Sequence, residues 1–316
     1  QYFKVTQYFF FKQWTELKNY ANQKGIQIIG DMPIYVAADS VEVWTKPELF
    51  QLDEERNPLF VAGVPADQFS ATGQLWGNPL YAWEEHKKQG YAWWIHRIEE
   101  SFKIYDVLRI DHFKGFSDYW QVDGKAEVAK DGSWQPGPGY DLFKAVKEQL
   151  GDLPIIAEDL GNIDDKARKL LTDCNYPGMK ILQFGFEDVS GESLDSPHYC
   201  IPHSIVYTGT HDNDVTNGWY NSLTEQQQQY INDYTHRHED ESICQAMIRQ
   251  LFATVSNTAI ATMQDVLDLP ASSRMNVPST IGGNWQWRMQ QSDLTQDKKD
   301  FLAKMTTLYQ RANQEK

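Results

Sequence analysis

The chain has 316 residues, 41% of them hydrophobic and 13% aromatic, enough to bury the core of one α/β barrel or of two smaller domains. Its 29 Lys and Arg stand against 44 Asp and Glu, and a formal charge of −15 with no local basic patch argues against any nucleic-acid partner. No apolar run approaches the ~20 residues that span a bilayer, and residues 1–11 carry no leader-like pattern. With Cys174, Cys200 and Cys244 showing neither disulfide nor zinc spacing, the expectation is a soluble cytoplasmic chain with no membrane partner.

Along the chain, a helical pattern over 14–23 precedes a short β-branched run at 26–31 (IQIIGD). Similar runs recur at 107–111 (VLRID), 155–158 (IIAE), 180–184 (KILQF), 205–208 (IVYT) and 259–263 (AIATM), and each reads as a buried parallel strand. Helical patterns fall between them at 91–105, 142–150, 164–173 and 241–255. Strand alternating with helix predicts a parallel sheet, and a TIM-type (β/α)8 barrel is its closed form. Six strands are counted where such a barrel has eight. The expectation is therefore an incomplete barrel, one catalytic domain over 1–316 that begins without its first two strands. An open barrel edge exposes unpaired strand groups, and self-association through it is the expected consequence. Residues 38–78, rich in Pro, Asp and Gly, are too long for a simple connection and read as an elaborated loop inserted over the active face.

The strand ends carry the chemistry. Asp31, Asp111, Glu158 and the His211-Asp212 pair each close a run, where a β/α barrel places its functional side chains. One acidic residue after a strand is often only the N-cap of the next helix, but four in succession point to a site. Cleaving a glycosidic bond with retention needs a carboxylate nucleophile and a carboxylic acid roughly 5 Å apart. Arg109 lies two residues before Asp111, on the same strand face, where it keeps that carboxylate ionised and oriented. Glu158, beside Asp111 on the next strand, is expected to have a raised pKa and to begin the cycle protonated. His211 suits a sugar hydroxyl, and Asp212 is a third carboxylate for an oxocarbenium-like state. This chemistry needs no metal and no cofactor, and neither His236/His238 nor Cys200/His203 has a third ligand at suitable spacing. The 11 Trp and 16 Tyr leave two readings equally open, sugar platforms or core.

The segments GDMPIYVAADS, VAGVPADQFSATGQLWGNPLY, YAWW, LRIDHFKGF, GPGYDLF, IIAEDLG, PGMKILQFGF, YTGTHDND and RMNVPSTIGGNWQWR, taken in order over nearly the whole chain, resemble the amylomaltase (4-α-glucanotransferase) family of the α-amylase superfamily. The resemblance implies an enzyme that moves glycosyl segments between maltooligosaccharides and other α-1,4-glucans. It makes Asp111 the nucleophile, Glu158 the acid/base and Asp212 the transition-state carboxylate, with Arg109 and His211 as sugar contacts. Asp31 matches a first acidic position that orders the site. Asp67, Gln74 and Trp76 match an active-site loop on the substrate and acceptor side, and His112 and Asp159 match the neighbours of the catalytic pair. Residues 137–140 (GPGY), ending in Tyr140, match the loop that arches over the donor glucan. Phe184 stays open between sugar platform and core, and Phe186 is assigned to the core. Two other readings of the same residues are an α-glucan hydrolase and a non-catalytic glucan-binding remnant.

Overall fold

Seven strands are found in the first part of the computed structural model, which describes residues 1–66, 72–161 and 163–312. They are β1 (Ile29–Met32), β2 (Phe60–Val64), β3 (Gln74–Pro79), β4 (Val107–Ile110), β5 (Asp118–Asp123), β6 (Ser133–Pro136) and β7 (Ile155–Ala157). β8 (Gly178–Ile181), β9 (Ser204–Tyr207) and β10 (Thr258–Ile260) follow. The chain divides into two units, Gln1–Gly178 and Met179–Lys316.

In the first unit β1, β4 and β7 form a parallel sheet in that order, with Asp31 opposite Arg109 and Ile110 opposite Ala157. Leu108, Ile110, Ile155 and Ala157 are buried, as continuous apolar runs in a covered parallel sheet must be. The helix Ala92–Ile104 covers this core through Trp94 and Ile98, four residues apart on one face and both fully buried. Arg97 lies over the Trp93 and Trp94 rings, and its guanidinium donates to the carbonyls of Pro33 (2.7 Å) and Ile34 (3.1 Å), fixing the chain as it leaves β1.

The opening helix runs over Tyr2–Gln23, longer than the 14–23 pattern predicts. Residues 2–11 are aromatic without a 3.6-residue period, so no amphipathic stripe announces them, and none of the helix is buried. It is tied down where Trp14 Nε1 donates to the Ile104 carbonyl (2.7 Å) and Lys18 Nζ to that of Tyr105 (2.9 Å).

The 38–78 segment is more than a loop. It supplies β2 and β3 to a four-stranded antiparallel sheet, order β3-β2-β5-β6, over a small cluster of Val61, Val122 and Ala129. The partner strands come from 118–136, where no strand is expected from sequence. Both stretches are short and irregular in polarity: β3 reads QLWGNP, with neither an apolar run nor clean alternation.

In the second unit β9 lies between β8 and β10 and pairs in parallel with β10. Its core gathers Leu182, Phe186, Val206, Ile231, Met247 and Leu251. The helices Glu225–Thr235 and Ile243–Ala253 begin with capping boxes, Thr224 with Gln227 and Ser242 with Gln245. The strand expected over 180–184 ends earlier, at Ile181, and Leu182–Gly185 make one helical turn, an ambiguity that a five-residue apolar run cannot resolve. Among the described residues no helix is long and apolar enough to cross a membrane.

Candidate active site

The register of β1, β4 and β7 sets the first cluster. Paired residues on neighbouring strands face the same side of a sheet, so Asp31 and Arg109 meet across the ladder, and Asp111, two residues after Arg109, joins them. One Nη1 of Arg109 donates to both Asp31 oxygens (2.6 and 2.7 Å) and to Asp111 Oδ1 (3.0 Å). Burial works against the guanidinium charge, but the carboxylates of Asp31, Asp111 and Glu158 more than offset it and raise its pKa further. Arg109 therefore stays cationic and pins Asp111.

Glu158 follows Ala157, the ladder partner of Ile110, so it emerges from the strand next to Asp111, with strands about 4.8 Å apart. Its amide donates to the Ile110 carbonyl (3.0 Å), and the Phe113 amide donates to the Glu158 carbonyl (3.0 Å). Each carboxylate oxygen accepts one backbone N–H, Oε2 from His112 (2.7 Å) and Oε1 from Leu160 (2.8 Å). Burial, and then the Asp111 charge, push the Glu158 pKa up to about 7, against the lowering effect of Arg109 and the two N–H donors. That value suits a general acid working near neutrality.

The other residues expected at the site in this unit are placed as follows. Trp76 on β3 is 37% exposed; its Nε1 donates to Gln74 Oε1 (3.2 Å), and its ring stands edge-on to the His112 imidazole at 4.9 Å. Burial lowers the His112 pKa to about 4. The half-buried Asp159 lies against Gly178, where any Cβ would overlap its carboxylate. Tyr140 opens the helix Tyr140–Leu150 and is exposed. The turn before it is held to residues 116–117, Gly137 N–H donating to the Ser117 carbonyl and Gly139 N–H to that of Phe116, both at 2.8 Å. Asp67 lies outside the described residues.

The second unit holds His211 and Asp212 in the turn after β9, shaped by the Thr210 amide donating to Asn213 Oδ1 (2.8 Å). His211 Nε2 lies 3.3 Å from Asp212 Oδ2, while Asp212 Oδ1 accepts from Asn276 Nδ2 at 2.6 Å. Arg274 donates to the Asp212 carbonyl (2.7 Å) and to that of Asn276 (2.8 Å), and the exposed Trp285 ring lies 5.0 Å from His211. Reasoning from strand ends misses Arg274, Asn276 and Trp285, because they sit on a segment with no strand. The only signal for them was their place in RMNVPSTIGGNWQWR. Phe184 is half-buried in the helical turn Leu182–Gly185, and Phe186 is fully buried in the core, as assigned. Among the described residues, the carboxylate and imidazole atoms close enough together to share a metal ion are those of the exposed His96, Glu99 and Glu100 on the helix Ala92–Ile104.

The first unit thus places side by side a carboxylate pinned by a cation and a carboxyl biased toward its protonated form. That is the division of labour that retention at an anomeric carbon requires.

A family model described as 4-alpha-glucanotransferase matches residues 1–295. A 4-alpha-glucanotransferase of Streptococcus pneumoniae is 53% identical over 314 residues, covering 99% of this chain and 62% of that protein. One from Clostridium butyricum is 44% identical, covering 98% of this chain and 64% of its own length. The solved structure of amylomaltase from Streptococcus agalactiae in complex with acarbose superposes with a TM-score of 0.96 at 60% identity, over 98% of this chain and 62% of that one. This likeness bears out the α/β fold of TIM-barrel type read from the strand–helix alternation. The chain spans a little over three fifths of the length of these relatives. With its strand order, its paired carboxylates and these matches, the chain belongs to the 4-alpha-glucanotransferase family.

Proposed function

We propose that this chain carries the catalytic carboxylates of a 4-α-glucanotransferase acting on maltooligosaccharides and other α-1,4-glucans by double displacement. The observation that supports it most directly is the contrast between Asp111, ion-paired to Arg109 at 3.0 Å, and Glu158, held near pKa 7 on the adjacent strand. In the first step Asp111 attacks the anomeric carbon while Glu158 gives its proton to the departing glycosidic oxygen, leaving a covalent glycosyl-enzyme and an ionised Glu158. In the second step a sugar hydroxyl passes its proton back to Glu158 and displaces Asp111, so two inversions restore the original configuration. The family resemblance gives Asp212 the task of steadying the oxocarbenium-like state. The acarbose complex of the S. agalactiae relative supports an α-glucan as the substrate class.

Transfer differs from hydrolysis only in which acceptor reaches the glycosyl-enzyme. Trp76 offers an aromatic face and Gln74 a polar partner beside it, the features that hold a sugar acceptor and raise its effective concentration against water. Incubation with maltotriose tests the reading: glucose, maltose and oligosaccharides longer than the substrate are expected, and Asp111→Asn should abolish all of them while leaving the fold intact. Release of only maltose and glucose at high substrate concentration would replace the transferase by a hydrolase.

A further inference from the structure

The ends of β4 and β7 are laced together by more main-chain bonds than strand pairing requires, and the chain turns at His112. Its backbone is left-handed, with φ 50° and ψ 50°, a region closed to β-branched residues and visited by histidine more readily than by most. In that conformation two successive amides face one residue: His112 N–H donates to Glu158 Oε2 at 2.7 Å, and Phe113 N–H to the Glu158 carbonyl at 3.0 Å. The imidazole of the same residue stands edge-on to Trp76, at 4.9 Å and 89°, and seats against Gly115, where a Cβ would sit 3.1 Å from its Cδ2. Burial keeps this ring neutral, against the pull of the Asp111 charge and with help from Lys114, so it meets Trp76 as an aromatic and not as a cation.

We infer that His112 is a positioning residue that sets the acid/base carboxyl and the Trp76 platform in register, its backbone steering Glu158 and its ring steering Trp76. A sugar stacked on Trp76 is then presented to the proton donor at a fixed offset, which is the geometric demand of transfer over hydrolysis. The inference rests on the assignment of Glu158 as acid/base and adds a residue that need not touch sugar. It also accounts for the residue type. Glycine would accept the backbone but lose the ring, and valine would lose the ring and oppose the backbone as well.

That contrast is the test. The groups facing the Glu158 carboxyl are Arg109 from β4, Asp111 and the His112 amide just after it, and the Leu160 amide from its own loop; Asp111 and Lys114 face the imidazole. Glu158 is followed by NMR of carboxyl-labelled glutamate, assigned with Glu158→Gln, in the wild type, His112→Gly and His112→Val. His112→Gly should keep the Glu158 midpoint of the wild type and raise the acceptor KM by about tenfold with a smaller change in kcat. His112→Val should raise the midpoint by about half a pH unit or more, because a donor to the ionised carboxylate is lost, and should carry the alkaline limb of kcat with it. If valine prevents folding, His112→Ala, strained at the same φ but smaller, replaces it. Identical midpoints in all folded variants would overturn the backbone role, and an unchanged acceptor KM in His112→Gly would overturn the role of the ring. The midpoint is read without turnover, so a wild type that only hydrolyses maltotriose would sink the transferase reading and leave the steering of Glu158 decided on its own data.

Discussion

Replacing Glu158 by Gln should make the stability of the folded chain less sensitive to rising pH even as it removes the proposed acid/base. A carboxyl whose folded pKa is raised, here from 4.5 to about 7, binds its proton more tightly in the folded state than in the unfolded one. Between those two values the folded state therefore holds more protons, and stability falls as pH rises through the interval. At 1.36 kcal/mol per pH unit the full interval amounts to about 3 kcal/mol, and the part lying between about pH 5 and pH 8 to about 2.5 kcal/mol. Gln does not titrate, so the variant escapes that loss. It does carry a cost of its own. Both oxygens of Glu158 accept backbone N–H groups from His112 and Leu160, and an amide can offer an acceptor to only one of them. That mismatch costs roughly 1–3 kcal/mol and is independent of pH. The decisive quantity is thus the change with pH of the stability difference between the two proteins, measured by urea unfolding at about pH 5 and pH 8. It should favour the variant by about 2.5 kcal/mol more at the higher pH. A difference that stays constant would refute the claim that burial and the Asp111 charge hold the proton on Glu158.

Three other perturbations probe neighbouring contacts. Arg109→Met leaves the carboxylates of Asp31 and Asp111 without the guanidinium they share; as both are about two-fifths exposed, solvent screens part of the loss. A cost of about 2 kcal/mol in urea unfolding is expected, partly recovered by adding Asp31→Asn, and no recovery in the double variant would argue against shared pairing. Gly178→Ala drives a Cβ into the Asp159 carboxylate and should cost about 1–3 kcal/mol, relieved when Asp159 is also replaced by Ala; additive losses would count against that clash. Trp76→Ala should shift the products of maltotriose toward hydrolysis by several-fold while a glycosyl fluoride donor still reacts, and an unchanged product ratio would remove Trp76 from the acceptor side.

How much of this was legible in the sequence depends on the kind of contact. The six strands β1, β4, β7, β8, β9 and β10 were readable as apolar runs, and Asp111, Glu158 and Arg109 followed from strand ends and from alternation along one strand. The bond between Arg109 and Asp31 needs the register between two strands 78 residues apart in sequence, which no local pattern carries. The clamp on Glu158 was less accessible still, because its donors are backbone amides and its pivot is a left-handed φ at a residue that is not glycine. Arg274 and Asn276 reach Asp212 from 62 and 64 residues away on a segment with no strand. The antiparallel sheet escaped for another reason. Its strands are stabilised by cross-strand pairs such as Trp120 with Trp134, whose rings meet at 5.2 Å, and not by an apolar face that shows as alternation.

Arg109 has a further consequence as a cation that serves Asp31, Asp111 and Glu158 together. Among these four side chains, two negative charges are in excess with Glu158 ionised and one with Glu158 protonated. In the proposed reaction a neutral glucan relieves none of this surplus, whereas a positive charge developing at the anomeric carbon does, so the field of the cluster would discriminate between the ground state and the state to be crossed. The same field should prefer sugar mimics bearing an ammonium over their neutral counterparts. That preference should be graded by acidity: raising pH through the Glu158 midpoint adds a negative charge to the cluster, tightening the amine for as long as it keeps its own proton.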